Sequence, residues 1–369
     1  MKVIMTGGGT GGHIYPAIAI ADKIKERYDD AEILFVGTER GLEKKLVPEN
    51  GYPIEFITVE GFNRKNLLKN IEVMKKLHQG NKQAKKLMKE FQPDVVIGTG
   101  GYVCGPVVRA ASKAGIKCYT HEQNAFPGMT NKLLVSNVDK VFLGFPEAAE
   151  YFKKPEKHVV AGNPVRKAFF EADMKTSREK LGFAEDDFVL LVFGGSQGAG
   201  RINKAMIKVI ETLNGAEGVH VCMATGTRYY DAILQELKET IGEEPADNIH
   251  ILEYITNMDE YLSAADLVVS RSGALTVAEV TVCGKAAIFI PFPYATGNHQ
   301  YYNAKAVADN GGAVIIEESD LTDEALVAEI LKFKNNPELV KEMGVKSKEC
   351  APMDAADVVC NNLELPSGK

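Results

Sequence analysis

Short, almost uninterrupted apolar runs alternate along the chain with segments whose apolar residues recur every three or four positions. Runs of this kind predict parallel strands that are covered by helices on both faces. In one intervening segment, 16–27, Ala17, Ile20 and Ile24 share a helix face. The alternation predicts an α/β fold. The predicted strands are KVIMT, EILFVG, DVVIGTG, IKCYTH and KVFLG, followed by FVLLVFGG, VHVCMAT, NIHILEY, DLVVSRSG, AAIFIPF and AVII.

The pattern of strand, glycine-rich turn and helix begins twice, in VIMTGGGTGG (3–12) and in LLVFGGSQGAG (190–200). A Rossmann-like domain opens in this way, and 369 residues suit two such domains. We predict doubly wound domains at 1–163 and 164–344, because glycine and proline interrupt both periodicities around 159–169. Ligands bind at the carboxyl ends of such strands, so we expect the domains to face each other across a cleft. The helix that follows the second glycine-rich turn carries the apolar residues Ile202, Met206, Val209 and Leu213.

Composition narrows the class of protein. Hydrophobic residues make up 45% and charged residues 25%, as in ordinary globular proteins. The net charge of -7 argues against a general nucleic-acid binder. The 6 cysteines form no C-x-x-C pair, which favours reduced thiols in a cytosolic protein. The chain opens directly on a strand, so we expect no secretory signal, and no apolar run is long enough to span a bilayer.

The first glycine loop, Gly7-x-Gly9-x-x-Gly12, fits the dinucleotide-binding fingerprint. A helix that starts after such a loop presents unpaired N–H groups to an anion or a sugar hydroxyl. Two alternatives remain open: a tight crossover without a ligand, and a nicotinamide-dependent reductase with Glu39 on the ribose. The reductase leaves the second loop unexplained. No Gly-Lys-Ser/Thr follows either loop, which excludes a Walker A site.

A second candidate binding segment, SRSGALTVAE (270–279), follows a predicted strand. Ser272 and Gly273 would begin a helix whose N-terminus suits a pyrophosphate. Glu279 would lie within two turns of that end, where a carboxylate can accept both ribose hydroxyls, although it could also be a solvated helix residue. The polar loop PFPYATGNHQYYNA (291–304) follows the next strand. Together these features predict a nucleotide diphosphate site in the second domain.

Several motifs occur in the order found in one enzyme family. They are GGGTGGHIYPA, GTGGYVCGP, HEQNAFPGMTN, GNPVR, GGSQGA, SRSGALTVAE and HQYYNA, from residue 6 to about 304. The sequence resembles the bacterial undecaprenyldiphospho-muramoylpentapeptide β-N-acetylglucosaminyltransferases, which convert lipid I to lipid II. Only Cys104 departs from the motifs, where the family has serine. The resemblance implies the GT-B fold, with an acceptor-facing and membrane-facing first domain, a UDP-sugar-binding second domain, and residues 345–369 returning as a helix to the first.

The resemblance also implies roles for matching positions. The first loop would face the donor's sugar and phosphates, Asn124 and Gln300 would contact the sugar, and Arg166 and Ser196 would approach the diphosphate. Ile255 would offer its backbone to uracil, and the segment from Ala274 to Glu279 would line the phosphate and ribose. The full set of substrate-binding residues is Thr10, Gly11, Gly12, Asn124, Arg166, Ser196, Ile255, Ala274, Leu275, Thr276, Val277, Ala278, Glu279 and Gln300.

The implied reaction is inverting transfer of N-acetylglucosamine from UDP to the C4 hydroxyl of the muramic acid sugar. Such a displacement needs a base and a stabiliser for the departing UDP. His13 is the candidate catalytic base, because imidazole titrates near neutrality; alternatively it only hydrogen-bonds the loop or a phosphate. His121 and Glu122 are further candidates for the base, but they are expected instead to shape the site. No Asp-x-Asp occurs in the chain, so we expect neither a metal nor another cofactor.

Residues 62–89 are strongly basic and have one acid, Glu72. The apolar residues Leu67, Leu68, Ile71, Met74 and Leu77 are predicted to share a helix face. That face either belongs to the core or lies on an anionic membrane. With a polyprenyl-linked acceptor, we expect a peripheral enzyme on the cytoplasmic side of the plasma membrane, with other cell-wall enzymes as further partners and no nucleic acid. The alternatives are another GT-B transferase and a nucleotide-sugar-binding protein without transfer activity.

Overall fold

The computed structural model describes residues 1–61, 70–195, 197–351 and 354–364. The chain divides into two compact units, the first formed by residues 1–165 with 352–369 and the second by residues 166–351. These divisions lie at 165/166 and 351/352, close to the predicted boundaries at 163/164 and 344/345.

Unit 1 is built on a fully parallel sheet of 7 strands in the order β3-β2-β1-β4-β5-β6-β7. Beyond their first residues, its central strands are buried because helices cover both faces. The strands are β1 Lys2–Gly7, β2 Glu32–Gly37, β3 Ile54–Phe56, β4 Val95–Gly100, β5 Lys117–Glu122, β6 Lys140–Leu143 and β7 His158–Val160. The helices are α1 Gly11–Arg27, α2 Glu43–Glu49, α3 Asn70–Phe91, α4 Cys104–Lys113 and α5 Met129–Leu134, with 3-10 turns at Val135–Asn137, Pro146–Tyr151 and Pro155–Lys157.

Unit 2 repeats the architecture with a parallel sheet of 6 strands in the order β10-β9-β8-β11-β12-β13. The four apolar residues predicted on its first long helix are all buried against this sheet. The strands are β8 Phe188–Phe193, β9 Val219–Ala224, β10 Ile249–Leu252, β11 Leu267–Ser270, β12 Ala286–Phe289 and β13 Val314–Ile315. The helices are α6 Ala168–Glu171, α7 Met174–Leu181, α8 Gly200–Leu213, α9 Tyr230–Ile241, α10 Met258–Ala264, α11 Ala274–Val282, α12 His299–Ala308, α13 Asp323–Lys334 and α14 Pro337–Glu349, with a 3-10 turn at Thr296–Asn298.

Helix α15, Ala355–Asn361, belongs to unit 1 and packs on α1. Lys23 Nζ lies 3.2 Å from a carboxylate oxygen of Asp357, and Arg27 also pairs with Asp357. Val359 joins the apolar core beneath α1. Helix α14, which the predicted boundary at 344/345 divides, packs instead on α11 and β12 of unit 2.

Helix α3 covers the described part of the predicted basic helix, and Leu67 and Leu68 fall outside the described residues. The buried face of α3 is formed by Val73, Gly80, Ala84 and Met88. Ile71 and Met74 are 62% and 53% exposed. The alternative that these two residues belong to the core is therefore wrong, because the helix buries a different set of side chains.

Candidate functional site

The first glycine loop connects the carboxyl end of β1 to the N-terminus of α1. Thr10 has an extended backbone at the N-cap of α1, and no side chain of the described residues caps this helix end. Thr10 and Gly12 are exposed. The first turn of α1 therefore presents N–H groups and the positive end of the helix dipole at an accessible surface, as the sequence predicts.

A buried carboxylate holds this loop from behind. Glu43 Oε2 accepts a hydrogen bond of 2.9 Å from the N–H of Gly9, and its Oε1 accepts from the backbone and the hydroxyl of Thr38, each at 2.8 Å. A second anion at the Gly9 N–H would be repelled by this carboxylate. The arrangement argues against the pyrophosphate position that the dinucleotide fingerprint suggested, and it suits a neutral sugar hydroxyl better. Sequence analysis missed Glu43, which is one charged residue among several in its segment.

His13 lies in the first turn of α1 and is joined to the end of β5. Its Nδ1 is 2.9 Å from Gln123 Oε1. The ring packs so closely on Gly100, at the end of β4, that a Cβ atom there would lie 2.6 Å from Nδ1. Gly100 also has φ +117, which other residues rarely adopt. The fold therefore brings the candidate base to three neighbouring strand ends.

The HEQN segment follows β5 and is organised by Glu122. This buried carboxylate accepts four hydrogen bonds: from the backbone and side-chain nitrogens of Asn124, from the backbone of Gly128 and from Asn131 Nδ2, at 2.9 to 3.2 Å. Since all its oxygens are engaged, Glu122 shapes the loop that carries Asn124. Asn124 directly follows Gln123, whose side chain bonds His13 at the end of β5.

The second glycine loop connects β8 to α8 in unit 2. Gly198 has φ +72, and a Cβ atom there would collide with the carbonyl oxygen of Thr225, at the end of β9. The loop therefore needs glycine to pack against the neighbouring strand end. Ser196, predicted to approach the diphosphate, lies outside the described residues.

Helix α11 begins at the carboxyl end of β11 behind Gly273, and no side chain with a described position caps it. Of the predicted segment, Ala274, Val277 and Ala278 are buried, whereas Leu275 and Thr276 are partly exposed. The first-turn N–H groups have no intrahelical acceptor, so they suit an anion.

Ser272 and Gln300 belong to one hydrogen-bonded corner beside α11. The Ser272 hydroxyl donates to the backbone oxygen of Gln300 at 2.8 Å, so it is engaged in the fold. Gln300 Oε1 accepts from the N–H of Phe292 at 2.9 Å, which directs the amide nitrogen of Gln300 as the donor for a ligand. Buried Arg271 holds the same corner through the carbonyl oxygens of Ile290 and Pro291.

Glu279 is a half-buried carboxylic acid on α11. Burial raises the pKa of its carboxyl from 4.5 to about 7, nearby Arg166 opposes this shift, and Asp259 adds to it. Asp259 lies on α10, directly after the loop with Ile255, so the two predicted nucleotide-binding segments are neighbours. The carboxyl group of Glu279 makes no hydrogen bond or ion pair with the described residues. A carboxyl group in this environment is available to accept hydrogen bonds from the hydroxyl groups of a ligand.

Neither a metal site nor a membrane-spanning helix is found among the described residues. No group of three or more His, Cys, Asp or Glu side chains is placed to hold a metal ion, among the residues with described positions. Likewise, none of the described helices has both the length and the apolar character needed to cross a membrane.

Comparison with known proteins places both units in one family. Residues 3–143 match the N-terminal domain of glycosyltransferase family 28, and residues 189–359 match its C-terminal domain. A protein of Desulforamulus reducens is 46% identical over 99% of both chains, and one of Acetivibrio thermocellus is 45% identical over 97% of this chain and 96% of the relative. Both are named UDP-N-acetylglucosamine--N-acetylmuramyl-(pentapeptide) pyrophosphoryl-undecaprenol N-acetylglucosamine transferase. The crystal structure of Acinetobacter baumannii MurG matches with a TM-score of 0.76 at 31% identity, covering 98% of each chain.

Proposed function

The chain belongs to glycosyltransferase family 28, and from this premise we propose that it transfers N-acetylglucosamine from UDP-N-acetylglucosamine to lipid I. The acceptor is the C4 hydroxyl of the N-acetylmuramyl-pentapeptide, and the product is lipid II for peptidoglycan synthesis. The observation that carries the proposal is the 46% identity, over 99% of both chains, to a transferase of that name. The two-unit α/β fold, with uncapped helix N-termini at strand ends in both units, agrees with it.

We assign the transfer to a single inverting displacement. His13 is the base that takes the proton of the acceptor hydroxyl, since its ring lies at the strand ends beside the first glycine loop. The departing UDP gains negative charge, which the first-turn N–H groups of α11 and the guanidinium of Arg166 are suited to stabilise. The proposal needs no metal, and we expect a chelator to leave the rate unchanged.

The donor contacts follow the same assignment. In unit 1, Thr10, Gly11, Gly12 and Asn124 would contact the sugar. In unit 2, Glu279 would accept the ribose hydroxyls, and Gln300 would donate its amide to the sugar. The remaining assigned positions are Arg166, Ser196, Ile255, Ala274, Leu275, Thr276, Val277 and Ala278.

A transfer assay with radiolabelled UDP-N-acetylglucosamine and a short-chain lipid I analogue tests the function. We expect a labelled disaccharide product, and none when the acceptor lacks its C4 hydroxyl. Binding of UDP-N-acetylglucosamine without any product would instead support a nucleotide-sugar-binding protein. Product with an unrelated glycolipid, but none with the lipid I analogue, would support another GT-B transferase.

We also propose that the enzyme acts peripherally on the cytoplasmic face of the plasma membrane. The exposed side chains of Ile71 and Met74 support this, together with exposed lysines on the same helix at 75, 82, 85, 86 and 89. Such a surface can insert apolar groups and attract anionic lipids.

Sedimentation with vesicles tests this placement. Binding should be stronger to vesicles with anionic lipid than to neutral ones, and Ile71→Glu with Met74→Glu should weaken it. Val345→Glu is the matched control, because Val345 is 55% exposed and lies on α14 of unit 2. Equal binding of all variants to all vesicles would contradict the proposal.

A further inference from the structure

A chain of hydrogen-bonding groups runs from His13 into the interior of unit 1. His13 Nδ1 lies 2.9 Å from Gln123 Oε1, and Gln123 Nε2 lies 3.0 Å from His121 Nδ1. At the far end, His121 Nε2 lies 2.8 Å from the carbonyl oxygen of Gly162. Gln123 and His121 are buried, with 1% and 0% of their surfaces exposed.

Two backbone carbonyls determine where the hydrogens of this chain lie. The Gly162 oxygen can only accept, so His121 carries its hydrogen on Nε2. Gln123 Nε2 also lies 3.1 Å from the backbone oxygen of His121, which again can only accept. The amide of Gln123 is thereby fixed with its nitrogen toward His121 and its oxygen toward His13. A reversed amide would place two oxygens in contact inside the core.

The charge state of His121 agrees with this arrangement. Burial, with a smaller contribution from nearby His13, lowers the pKa of its imidazole to about 4, although the Gly162 carbonyl and Glu122 act in the opposite sense. His121 is therefore neutral near pH 7, and its Nδ1 keeps the lone pair that accepts from Gln123 Nε2. The backbone of Gln123 is held as well, because its carbonyl oxygen accepts from Asn163 Nδ2 at 2.9 Å.

We propose that Gln123, anchored by His121 and Gly162, is a positioning residue that fixes the tautomer of His13. Because Gln123 Oε1 can only accept, neutral His13 carries its hydrogen on Nδ1 and leaves the lone pair on Nε2. A base must present a lone pair to the acceptor hydroxyl, so the chain prepares Nε2 to receive that proton and Nδ1–H to stabilise the resulting imidazolium. The inference rests on the proposed transferase function for its catalytic meaning, but the tautomer itself requires no substrate.

Nitrogen NMR of protein labelled with ¹⁵N-histidine reads the tautomer directly. The chain has 7 histidines, and His13→Asn identifies the His13 signals by their loss. At alkaline pH we expect His13 in the Nδ1–H form. The Gln123→Met variant keeps the length of the side chain but removes the amide group that contacts His13 and His121. The preference for the Nδ1–H form should therefore disappear in this variant. An Nε2–H tautomer in the parent protein would overturn the inference.

Kinetics provide the second readout. Gln123→Met should lower kcat about 10-fold to 100-fold, with the dissociation constant of UDP-N-acetylglucosamine changed less than about twofold. Gln235→Met, at an exposed site in unit 2, is the control for the substitution and should leave kcat unchanged. A Gln123→Met protein with normal kcat and the Nδ1–H tautomer would also overturn the inference.

A third variant keeps the inference testable if Gln123→Met does not fold. His121→Leu removes one anchor of Gln123 but leaves the backbone oxygen of residue 121, so we expect a smaller fall in kcat and a mixture of His13 tautomers. A parent with the Nδ1–H form but no transferase activity would refute the proposed function alone. An active parent with the Nε2–H form would refute only the inference.

Discussion

Replacing Glu279 by Gln should stabilise the protein at alkaline pH while weakening its affinity for the donor. The carboxyl of Glu279 has a pKa of about 7 instead of 4.5, chiefly because it is buried. Between these values the folded state binds more protons than the unfolded state. The free energy of unfolding therefore falls as pH rises through this window and stays low above it.

The size of this effect follows from the pKa difference. One pKa unit corresponds to about 1.4 kcal/mol, so ionising Glu279 costs the folded state about 3 kcal/mol at most. Because the side chain keeps part of its surface in water, we discount the cost to roughly 1.5 kcal/mol. Glu279→Gln removes it, and the melting temperature at about pH 8.5 should rise by about 3 to 6 °C.

Thermal and urea unfolding at about pH 5 and about pH 8.5 measure the difference. The stabilisation should be several-fold smaller at the lower pH, where the folded carboxyl is already neutral. Glu342→Gln is the control, because Glu342 is exposed and makes no ion pair with any described residue. A stabilisation by Glu279→Gln that is absent, or equal at both pH values, would refute the reasoning.

Three further predictions concern the site. His13→Ala should lower kcat about 100-fold or more without changing the calorimetric affinity for UDP-N-acetylglucosamine, and an unchanged kcat would remove it as the base. If Glu279 accepts hydrogen bonds from the ribose hydroxyls as a carboxylate, donor affinity should rise as pH increases through about 7. A flat profile in the parent would contradict that role. Glu279→Ala should weaken UDP binding, most strongly above about pH 7. Glu43→Ala leaves the Gly9 N–H without its partner and should cost about 2 kcal/mol of stability in urea unfolding, whereas the exposed Glu39→Ala should cost almost nothing.

Candidate residues at strand ends were largely predictable, but their partners were not. The sequence placed His13, Asn124 and Glu279 after strands, because glycine turns and helix starts have local signatures. It gave no sign that Gln123 contacts His13 or that Glu43 holds Gly9, since these contacts join segments far apart in the chain. A buried Glu or Gln in a polar segment cannot be distinguished from a solvated one until the fold shows which residues it contacts.

Sequence patterns alone predicted the α/β class, the repeated architecture and every described strand except β3 and β7. Most of those strands are buried along their length, so their apolar character is continuous and readable; β10 and β13 are only partly buried, but their runs are apolar as well. The short edge strands β3 and β7 were missed because they are only partly buried and their composition is mixed. The buried face of α3 and the nitrogen of His13 that contacts Gln123 could be known only from the folded chain, because both depend on neighbours that are distant in sequence.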